Sequence, residues 1–512
     1  MGSAAHARRL VYLVHRWTGI GACLLMALWV VSGVVMLFVG YPKLLPQERL
    51  GALPALQAPG CCVPVEAALS QSRAPAAVRQ ITLTSIAGRP HYRIREGSGA
   101  FVVVDALTGQ RAPGVDAARA LDSARAFLPG SMAHDAGTVV DDRWTHSGAL
   151  DAHRPLYRVR MEDPAATLLY VSSVTAEVVM DAPAMQRRWN YVGAWLHWLY
   201  MFRDGSRDPV WSWLVIVLSA TATVGAVTGA LAGIWRWRFA GRYRSGAKTP
   251  YRAFQMRWHH ITGLVFGLGL VAWVFSGLMS MNPAGIFDAR GPRPDSAAYR
   301  GGEPGAVRPD ITAEQALGLL HSAGFAPSEI EWRVLAGKPY LLARSSAGAT
   351  RLIVPAPGGH SVVDRWASEP LAEAGARLMT SPVVSARLLD AYDAYYLRRG
   401  PASMYAAAER HPPVLLLEFA DAGQTRAYLD LRTGDLALSA DRAQRTGRWL
   451  FNFLHSWDLP EFLRHAKTRD VALILLSAGA LLVAITGTVI GWRRLKTTAA
   501  RWRLRRLVAK RP

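Results

Sequence analysis

Two histidines stand at the same distance before a Thr-Gly pair, each at the start of a long apolar segment. His15 lies in VHRWTGIG (14–21) and His259 lies in WHHITGLV (258–265). The offset of 244 residues that superposes them also superposes Trp29 on Trp273 and Ser32-Gly33 on Ser276-Gly277. Neutral imidazole is the commonest metal ligand among side chains. Histidines at matched positions therefore indicate a shared metal or cofactor site.

A second pair of histidines repeats with an offset of 258 residues. This offset superposes His197 in AWLHWLY on His455 in NFLHSWD, and it superposes Thr228-Gly229 on Thr486-Gly487. The sequence therefore predicts an internal repeat of two modules. Each module has a histidine, a helix leading out of the membrane, a large external domain, a second histidine and a returning helix.

Histidines at two membrane depths predict two b-type haems. If the repeated helices pack around a two-fold axis, His15 faces His259 near the cytoplasmic surface and His197 faces His455 near the external surface. Two imidazoles across an apolar gap are a usual axial ligation for a haem held between helices. Two such haems would conduct electrons across the membrane. The sequence has no C-x-x-C-H motif, which excludes a covalently attached c-type haem.

Other residues near these histidines have alternative roles. His260 is a rival ligand to His259, although the repeat favours His259. Zinc is the competing metal, but no cysteine or carboxylate accompanies the histidines at ligand spacing. Arginines at both ends of the helices are candidates to bind haem propionates or are ordinary topology charges: Arg16, Arg188, Arg257 and Arg448. The external loops offer weaker candidates for an iron or chelate site, with loop and packing roles as the alternative: His146, His153, Asp141, Asp142, Asp151, Tyr392, Asp393, Tyr395 and Tyr396.

The elements that would position these residues are four apolar stretches, each long enough for a hydrocarbon core of about 30 Å. They are predicted as transmembrane helices at 18–39, 209–235, 259–283 and 470–492. The first is expected to be a retained anchor, because no A-x-A cleavage site follows it. The transporter function is disfavoured, because the predicted helices lack intramembrane carboxylates.

Basic residues set the expected orientation. The chain carries a net charge of +22 and concentrates its arginines and lysines in the segments 1–17, 236–258 and 493–512. The positive-inside rule predicts that all three segments, and therefore both termini, are cytoplasmic and that both long loops are external. This topology explains the charge, so no nucleic-acid partner is expected.

The two long loops predict external α+β domains at 40–186 and 284–445, where amphipathic helices alternate with period-2 strands. Interfacial helices are predicted at 187–208 and 446–469. They are interrupted by RDGSRDP (203–209) and WDLPEF (457–462). Each external histidine would therefore lie on a short helix that folds back onto the membrane. For Cys61 and Cys62 a vicinal disulfide, pairing with another chain and free thiols stay open.

Several motifs resemble the PepSY-associated transmembrane family of bacterial inner-membrane proteins, which includes iron-regulated proteins and siderophore-interacting reductases. They are HRWTG, DRWTHSGALDAHRPLYRV, YDAYYLRRG, FLHSWDLP and hairpins that end in a D-x-x-T-G turn. The resemblance implies a four-helix core with an internal two-fold repeat and two periplasmic α+β PepSY-like domains. It also implies two b-type haems on His15, His259, His197 and His455.

The function expected from this resemblance is transmembrane electron transfer that reduces a ferric siderophore or another Fe(III) chelate in the periplasm. The sequence carries no dinucleotide or flavin fingerprint, so the electron donor is expected to be a quinol or another protein. Membrane lipid is the remaining expected partner. The alternative is a non-catalytic membrane protein whose PepSY-like domains bind a periplasmic peptide, protease or siderophore, and whose histidines are merely interfacial residues.

Overall fold

The computed structural model describes residues 3–205 and 208–508. Two residues of the expected turn, Ser206 and Arg207, and two of the expected basic tail, Lys510 and Arg511, lie outside the described residues. The α-helices of the described part are α1 Ser3–Phe38, α2 Pro46–Gly51, α3 Val65–Leu69, α4 Ala117–Phe127, α5 Ala184–Asn190, α6 Pro209–Arg236, α7 Phe254–Ser280, α8 Ser296–Arg300, α9 Ala313–Ser322, α10 Ser368–Gly375, α11 Arg442–Gly447, α12 Leu454–Ser456, α13 Pro460–Arg464 and α14 Ala466–Val508.

Four of these helices, α1, α6, α7 and α14, are long and apolar enough to cross a membrane. They contain the predicted stretches, although α7 ends at Ser280 and α1 ends at Phe38, slightly before the predicted ends. α1 begins inside the basic segment predicted for 1–17, and α14 continues through the basic segment that follows its apolar part. Charged residues with good helix propensity extend both helices beyond the apolar core.

The four long helices form a bundle in which α1 packs against both α6 and α14, and α7 packs against the same two helices. α1 and α7 therefore lie diagonally opposite each other. Small residues permit the close approach: a Cβ built on Gly225 of α6 would lie 3.1 Å from Oγ1 of Thr18 on α1. The centre of the bundle is a cluster of buried apolar side chains that includes Ala22, Met26, Ala222, Leu270, Val274, Ala480 and Ala484.

The rest of the described chain contains antiparallel β-sheets attached to one end of the bundle. Their strands are β1 Gln80–Ile86, β2 Arg89–Arg95, β3 Phe101–Asp105, β4 Ala133–Val139, β5 Leu156–Met161, β6 Leu168–Ser172, β7 Val178–Ala182, β8 Glu329–Leu335, β9 Lys338–Arg344, β10 Thr350–Ala356, β11 Gly359–Val363, β12 Val383–Leu389, β13 Val414–Phe419, β14 Arg426–Asp430 and β15 Leu436–Ala440. We call the bundle end where α1 stops at Phe38 the domain end, and the end where α6 stops at Arg236 the far end.

The strands form three sheets, one of which combines both long loops. A four-stranded sheet in the order β4-β5-β6-β7 belongs to the first loop, and a second in the order β12-β13-β14-β15 belongs to the second loop. The third sheet has seven strands in the order β11-β10-β9-β8-β1-β2-β3. In it β1 pairs with β8, with Ile81 opposite Trp332. The α+β content agrees with the sequence, but the sequence did not indicate that 40–186 and 284–445 share a sheet.

The two faces of the seven-stranded sheet differ in character. One face buries a large apolar core that includes Ile81, Tyr92 and Trp332, packed against α3 and α9. The other face carries Arg93, Glu329 and Glu331, each of which is largely buried. Charged residues are rarely buried without partners, so this second face needs a network of ion pairs.

The chain turns sharply between the sheets and the returning helices. A wide helical turn at Tyr191–Trp195 follows α5, and Leu199 then adopts a left-handed backbone with φ of 54°. In the second half a wide turn at Arg448–Phe453 precedes α12, and Trp457 has φ of 50°. The helices at 187–208 and 446–469 are thus interrupted before α6 and α14 begin. Asp208 caps α6 by accepting a hydrogen bond from the backbone N–H of Trp211.

Cys61 and Cys62 are joined as a vicinal disulfide in the structure. Of the three possibilities that the sequence left open, the structure has the pairing within the chain. Cys61 is buried in the apolar core of the seven-stranded sheet.

Candidate cofactor site

At the far end of the bundle, the imidazole rings of His15 and His259 face each other. His15 lies on α1 and His259 lies on α7, so the two helices that carry them are diagonal in the bundle. Their ring centroids are 6.1 Å apart and the ring planes are inclined by 25°. The structure therefore brings together the first of the two histidine pairs that the sequence predicted.

At the domain end, His197 and His455 form the second pair. Each follows a wide helical turn and precedes a residue with left-handed backbone, which directs the chain back towards the bundle. Their ring centroids are 6.0 Å apart and the planes are inclined by 74°. The two pairs have almost the same separation, although they lie on different kinds of element.

A separation of about 6 Å is the one expected for two imidazoles on opposite sides of one metal ion. A metal–imidazole nitrogen bond is about 2 Å long, and the ring centre lies about 1 Å behind the nitrogen. Each pair of rings could therefore hold one haem, which would supply one-electron redox chemistry there. Offset-stacked and edge-to-face ring pairs also have centroids about 4.5–7 Å apart, so the separation agrees with a shared metal ion without requiring one.

The hydrogen bonds at the far end leave Nε2 of both histidines available to bind a metal ion. Nδ1 of His15 lies 3.0 Å from the carbonyl oxygen of Gly225, and Nδ1 of His259 lies 3.1 Å from that of Val483. A carbonyl only accepts, so each Nδ1 carries the hydrogen and each Nε2 keeps its lone pair. This is the tautomer in which Nε2 binds a metal while Nδ1–H is held by an outer partner.

At the domain end, hydrogen bonds to serine hydroxyls give the two histidines the same tautomer. Oγ of Ser32 lies 3.0 Å from Nδ1 of His197 and donates its own hydrogen to the carbonyl of Leu28 at 2.8 Å. Because a hydroxyl has one hydrogen, its oxygen must accept from Nδ1–H of His197. Ser276 repeats the arrangement, with Oγ 3.0 Å from Nδ1 of His455 and 3.0 Å from the carbonyl of Trp273. Both Nε2 atoms again keep a lone pair.

His260 has the opposite tautomer, with its hydrogen on Nε2 and not on Nδ1. Its Nε2 lies 2.8 Å from the carbonyl oxygen of Gly233, so Nε2 must carry the hydrogen. Its Nδ1 accepts from the hydroxyl of Thr249 at 2.7 Å. Both ring nitrogens are therefore engaged by the protein. The geometry favours His259, and not its neighbour His260, as the partner of His15.

Glycines lie beside the histidines of both pairs. A Cβ built on Gly229 would lie 2.6 Å from Cε1 of His15, which real Cβ atoms do not tolerate. On Gly487 it would lie 3.2 Å from Cε1 of His259, and on Gly33 it would lie 3.5 Å from Cε1 of His197. The Thr-Gly pairs noted in the sequence thus leave the space that the rings of His15 and His259 occupy, whereas a Cβ on Gly33 would make only an ordinary contact with His197.

Electrostatics at the domain end keep the histidines neutral. Burial, with a smaller contribution from His455, lowers the pKa of His197 to about 3. Burial also lowers the pKa of His455 to about 4. Both rings are therefore uncharged at neutral pH, which is the form that binds a metal.

The two pairs lie at opposite ends of an apolar bundle. At about 1.5 Å per residue, the stretch of α1 between His15 and Ser32 spans roughly 25 Å. The side chains between the two levels are the apolar cluster around Met26 and Leu270. The arrangement can therefore hold two redox groups near the two sides of a membrane, with apolar protein between them.

The arginines predicted near the histidines have different surroundings. Arg448 is buried and forms an ion pair with Asp458 at 2.8 Å. Arg399 pairs with the same carboxylate at 2.7 Å, an interaction that the sequence did not indicate because these residues lie far apart in the chain. Among the described residues, neither Arg16 nor Arg188 forms an ion pair, and Arg188 is exposed. Arg257 is likewise exposed on α7.

The weaker external candidates are engaged by the protein itself. His146 contacts Asp141 at 3.0 Å, and His153 contacts the hydroxyl of Ser172 and stacks on Phe101. In 3–205 and 208–508, no group of three or more His, Cys, Asp or Glu side chains is arranged to hold a metal ion. The tyrosines serve packing and hydrogen bonding, as in the stacking of Tyr396 on Tyr428.

Neither a scan against protein-family models nor a search of the curated proteins finds a match for this chain.

Proposed function

We propose that this chain is a di-haem b protein of the bacterial inner membrane that passes electrons across the membrane to a ferric chelate outside. The observation that carries the proposal is the presence of two imidazole pairs, with ring centroids 6.1 and 6.0 Å apart, at opposite ends of one bundle. All four rings present Nε2 in the metal-binding tautomer. The same tautomer at four repeat-related positions supports a shared role for these histidines.

In this proposal His15 and His259 hold one haem, and His197 and His455 hold the other. When bound, the haem iron supplies one-electron redox chemistry. The chain's own residues orient the ligands: Ser32, Ser276 and backbone carbonyls fix the rings through Nδ1, and apolar side chains of the bundle exclude water. No acid or base in the protein is required for the transfer of an electron alone.

The proposed orientation and repeat rest on charge and on matched contacts. The basic segments at the far end favour a cytoplasmic location for both termini and a periplasmic location for the β-sheet domains.

Contacts at equivalent positions support an internal repeat. Tyr170 donates to Asp142 in the first half, and Tyr428 donates to Asp393 in the second, both at 2.8 Å.

The proposed substrate is a ferric siderophore or a similar Fe(III) chelate, in line with the resemblance to the PepSY-associated transmembrane family. Hard oxygen ligands bind Fe(II) more weakly than Fe(III), so reduction would release the iron. A quinol in the membrane or a cytoplasmic protein would supply the electrons.

An absorption spectrum tests the proposal first. The protein is purified in detergent from cells supplied with a haem precursor, and spectra are recorded oxidised and dithionite-reduced, with a pyridine haemochrome assay. We expect about two b-type haems per chain, and about one in each of the variants His15→Ala and His197→Ala. A colourless protein would refute the proposal.

The alternative is a membrane protein without a cofactor whose β-sheet domains bind a periplasmic peptide, protease or siderophore. It is favoured by a cavity of about 450 Å³ lined by residues of both loops. His197→Ala separates the two functions. An electron-transfer protein would lose one of its two haems and its reductase activity in this variant, whereas a binding protein would keep its ligand.

A further inference from the structure

The cavity in the β-sheet domains has the size and position of a small-ligand site. It encloses about 450 Å³ between the charged face of the seven-stranded sheet, strand β7 and the segment after α1. Sites for small molecules commonly occupy about 300–1,000 Å³ and lie where domains meet. Here Leu44, Leu150 and Val178 come from the first loop, while Glu331 and Arg344 come from the second.

Ion pairs cover one side of the cavity. Arg93 pairs with Glu177 at 2.6 Å, and Arg344 pairs with Glu331 at 3.1 Å. These four side chains are only 10 to 16% exposed. Buried ion pairs are usually no more stabilising than apolar residues of the same volume, because of the cost of desolvation. Stability therefore does not explain why this face is charged.

The charges persist at neutral pH. Burial opposes ionisation of Glu331, but Arg333 and Arg344 outweigh it and hold the pKa of Glu331 at about 2. Arg93 likewise lowers the pKa of Glu177 against the effect of burial. The lining thus presents guanidinium and carboxylate groups side by side in their ionised forms.

The balance of charge selects the ligand. The four arginines that line the cavity, Arg49, Arg93, Arg333 and Arg344, are matched by four glutamates, Glu177, Glu329, Glu331 and Glu409. A polyanion would meet the carboxylates and a polycation would meet the guanidiniums, and such like-charge contacts cost several kcal/mol. Gln80 and His153 add two further polar side chains, and the rest of the wall is apolar. The cavity therefore suits a small molecule that carries one charge of each sign and an apolar body.

We propose that this cavity binds a small zwitterion, such as an amino acid or a short peptide with free termini. Glu409 is exposed, lines the cavity and forms no ion pair among the described residues, so it is placed to receive the ammonium group. Arg49 pairs with Glu329 at 2.5 Å, but its side chain is 27% exposed, so its remaining N–H groups are placed to receive the carboxylate. This site does not depend on the haem proposal, because its residues lie outside the bundle.

Binding of leucylleucine to the purified full-length protein in detergent tests the proposal by calorimetry. The dipeptide is compared with its N-acetylated form, its C-terminal amide and the form blocked at both ends, which differ in charge and little in size. We expect the zwitterion to bind at least about tenfold more tightly than any blocked form, a difference of about 1.4 kcal/mol.

Two variants locate the site. Ala407 lines the cavity at its exposed side, so Ala407→Trp should fill the space and abolish binding. Ala408 is equally exposed and lies outside the cavity, so Ala408→Trp should bind as the wild type does. The haem spectrum, recorded on the same samples, should not differ between the two variants.

Three outcomes would overturn the proposal. They are no binding of leucylleucine or of free leucine at millimolar concentration, equal binding of the doubly blocked dipeptide, and equal effects of the two tryptophan variants. A colourless protein that still binds the zwitterion would refute only the haem proposal.

Discussion

The hydroxyl oxygen of Ser32 on α1 lies 3.0 Å from Nδ1 of His197, a residue that belongs to the other end of the first loop. Trp29, one helical turn earlier on α1, donates from Nε1 to the backbone carbonyl of the same histidine at 2.9 Å. α1 therefore fixes both the ring and the backbone of His197. The position of this ring depends on α1 as much as on its own short helix.

Ser32→Ala should weaken the binding of the proposed haem at the domain end. Loss of an outer hydrogen bond to a ligating histidine typically lowers affinity by about 10- to 100-fold. We expect a loss of this size in haem titrations of the apoprotein, together with a changed midpoint potential of one haem. Ser276→Ala should have the same effect through His455, because Oγ of Ser276 contacts its Nδ1 at 3.0 Å.

Ser219→Ala is the matched control for these serine variants. Ser219 is also buried in the bundle, but its hydroxyl donates to the carbonyl of Val215 on its own helix at 2.7 Å. Equal losses of haem in Ser219→Ala and Ser32→Ala would show that the serine acts on the bundle and not on the ligand.

His259→Ala and His260→Ala should differ in haem content. His259 faces His15 and its Nε2 keeps a lone pair, so its removal should leave about one haem per chain. His260 uses Nε2 to donate to Gly233, so its removal should retain both haems and cost about 1–2 kcal/mol of stability from the lost hydrogen bonds. The pyridine haemochrome assay and thermal unfolding measure the two effects. A loss of haem only in His260→Ala would reverse the assignment.

Gly229→Ala should disturb the far-end pair. Its new Cβ would lie 2.6 Å from Cε1 of His15, so the ring or the helix has to move. Geometry at a metal centre tolerates only small displacements. We expect a reduced haem content with the domain-end haem intact. Gly267→Ala on α7 is the control, because nothing lies within 4 Å of its Cβ position, and it should keep the full content.

The bundle and the histidine pairs could be predicted from the sequence for a physical reason. Long apolar stretches have few alternatives to membrane helices, and matched histidines leave a pattern that offsets of 244 and 258 residues reveal. The choice between His259 and His260 needed coordinates, because adjacent residues on a helix point about 100° apart and the sequence does not orient them.

The pairing of β1 with β8 and the triad of Arg399, Asp458 and Arg448 were not predictable from the sequence. Each joins residues from distant parts of the chain, and strand pairing of that kind leaves no local signal. The serines beside the domain-end histidines were visible in the repeat, since Ser32 superposes on Ser276. Their role became clear only from their distance to the rings.

Trp332→Ala should destabilise both long loops together. Trp332 on β8 is 1% exposed and lies opposite Ile81 of β1, so its removal opens a cavity at the seam of the shared sheet. Truncating a buried tryptophan typically costs about 3–5 kcal/mol. Hydrogen exchange should therefore accelerate in β1 as well as in β8. Val384→Ala, at a side chain that is 65% exposed on β12, should change little, and faster exchange confined to the second loop would contradict the joint sheet.

Asp181 on β7 should make the β-sheet domains less stable as the pH rises. Burial, and then the charge of Glu48, raise its pKa from 3.8 to about 6, although Lys43 opposes the shift. Because the folded protein holds this proton more tightly than the unfolded chain, the contribution to stability is complete below about pH 4 and is lost as the pH passes about 6. Because Asp181 is partly exposed, we expect the loss in the free energy of unfolding to be only about 1–2 kcal/mol. Asp181→Asn should therefore melt at a higher temperature than the wild type at pH 7.5 and at the same temperature near pH 4. The exposed Asp122→Asn should show no such difference, and an Asp181→Asn advantage that persists unchanged at pH 4 would mean that packing, not ionisation, is responsible.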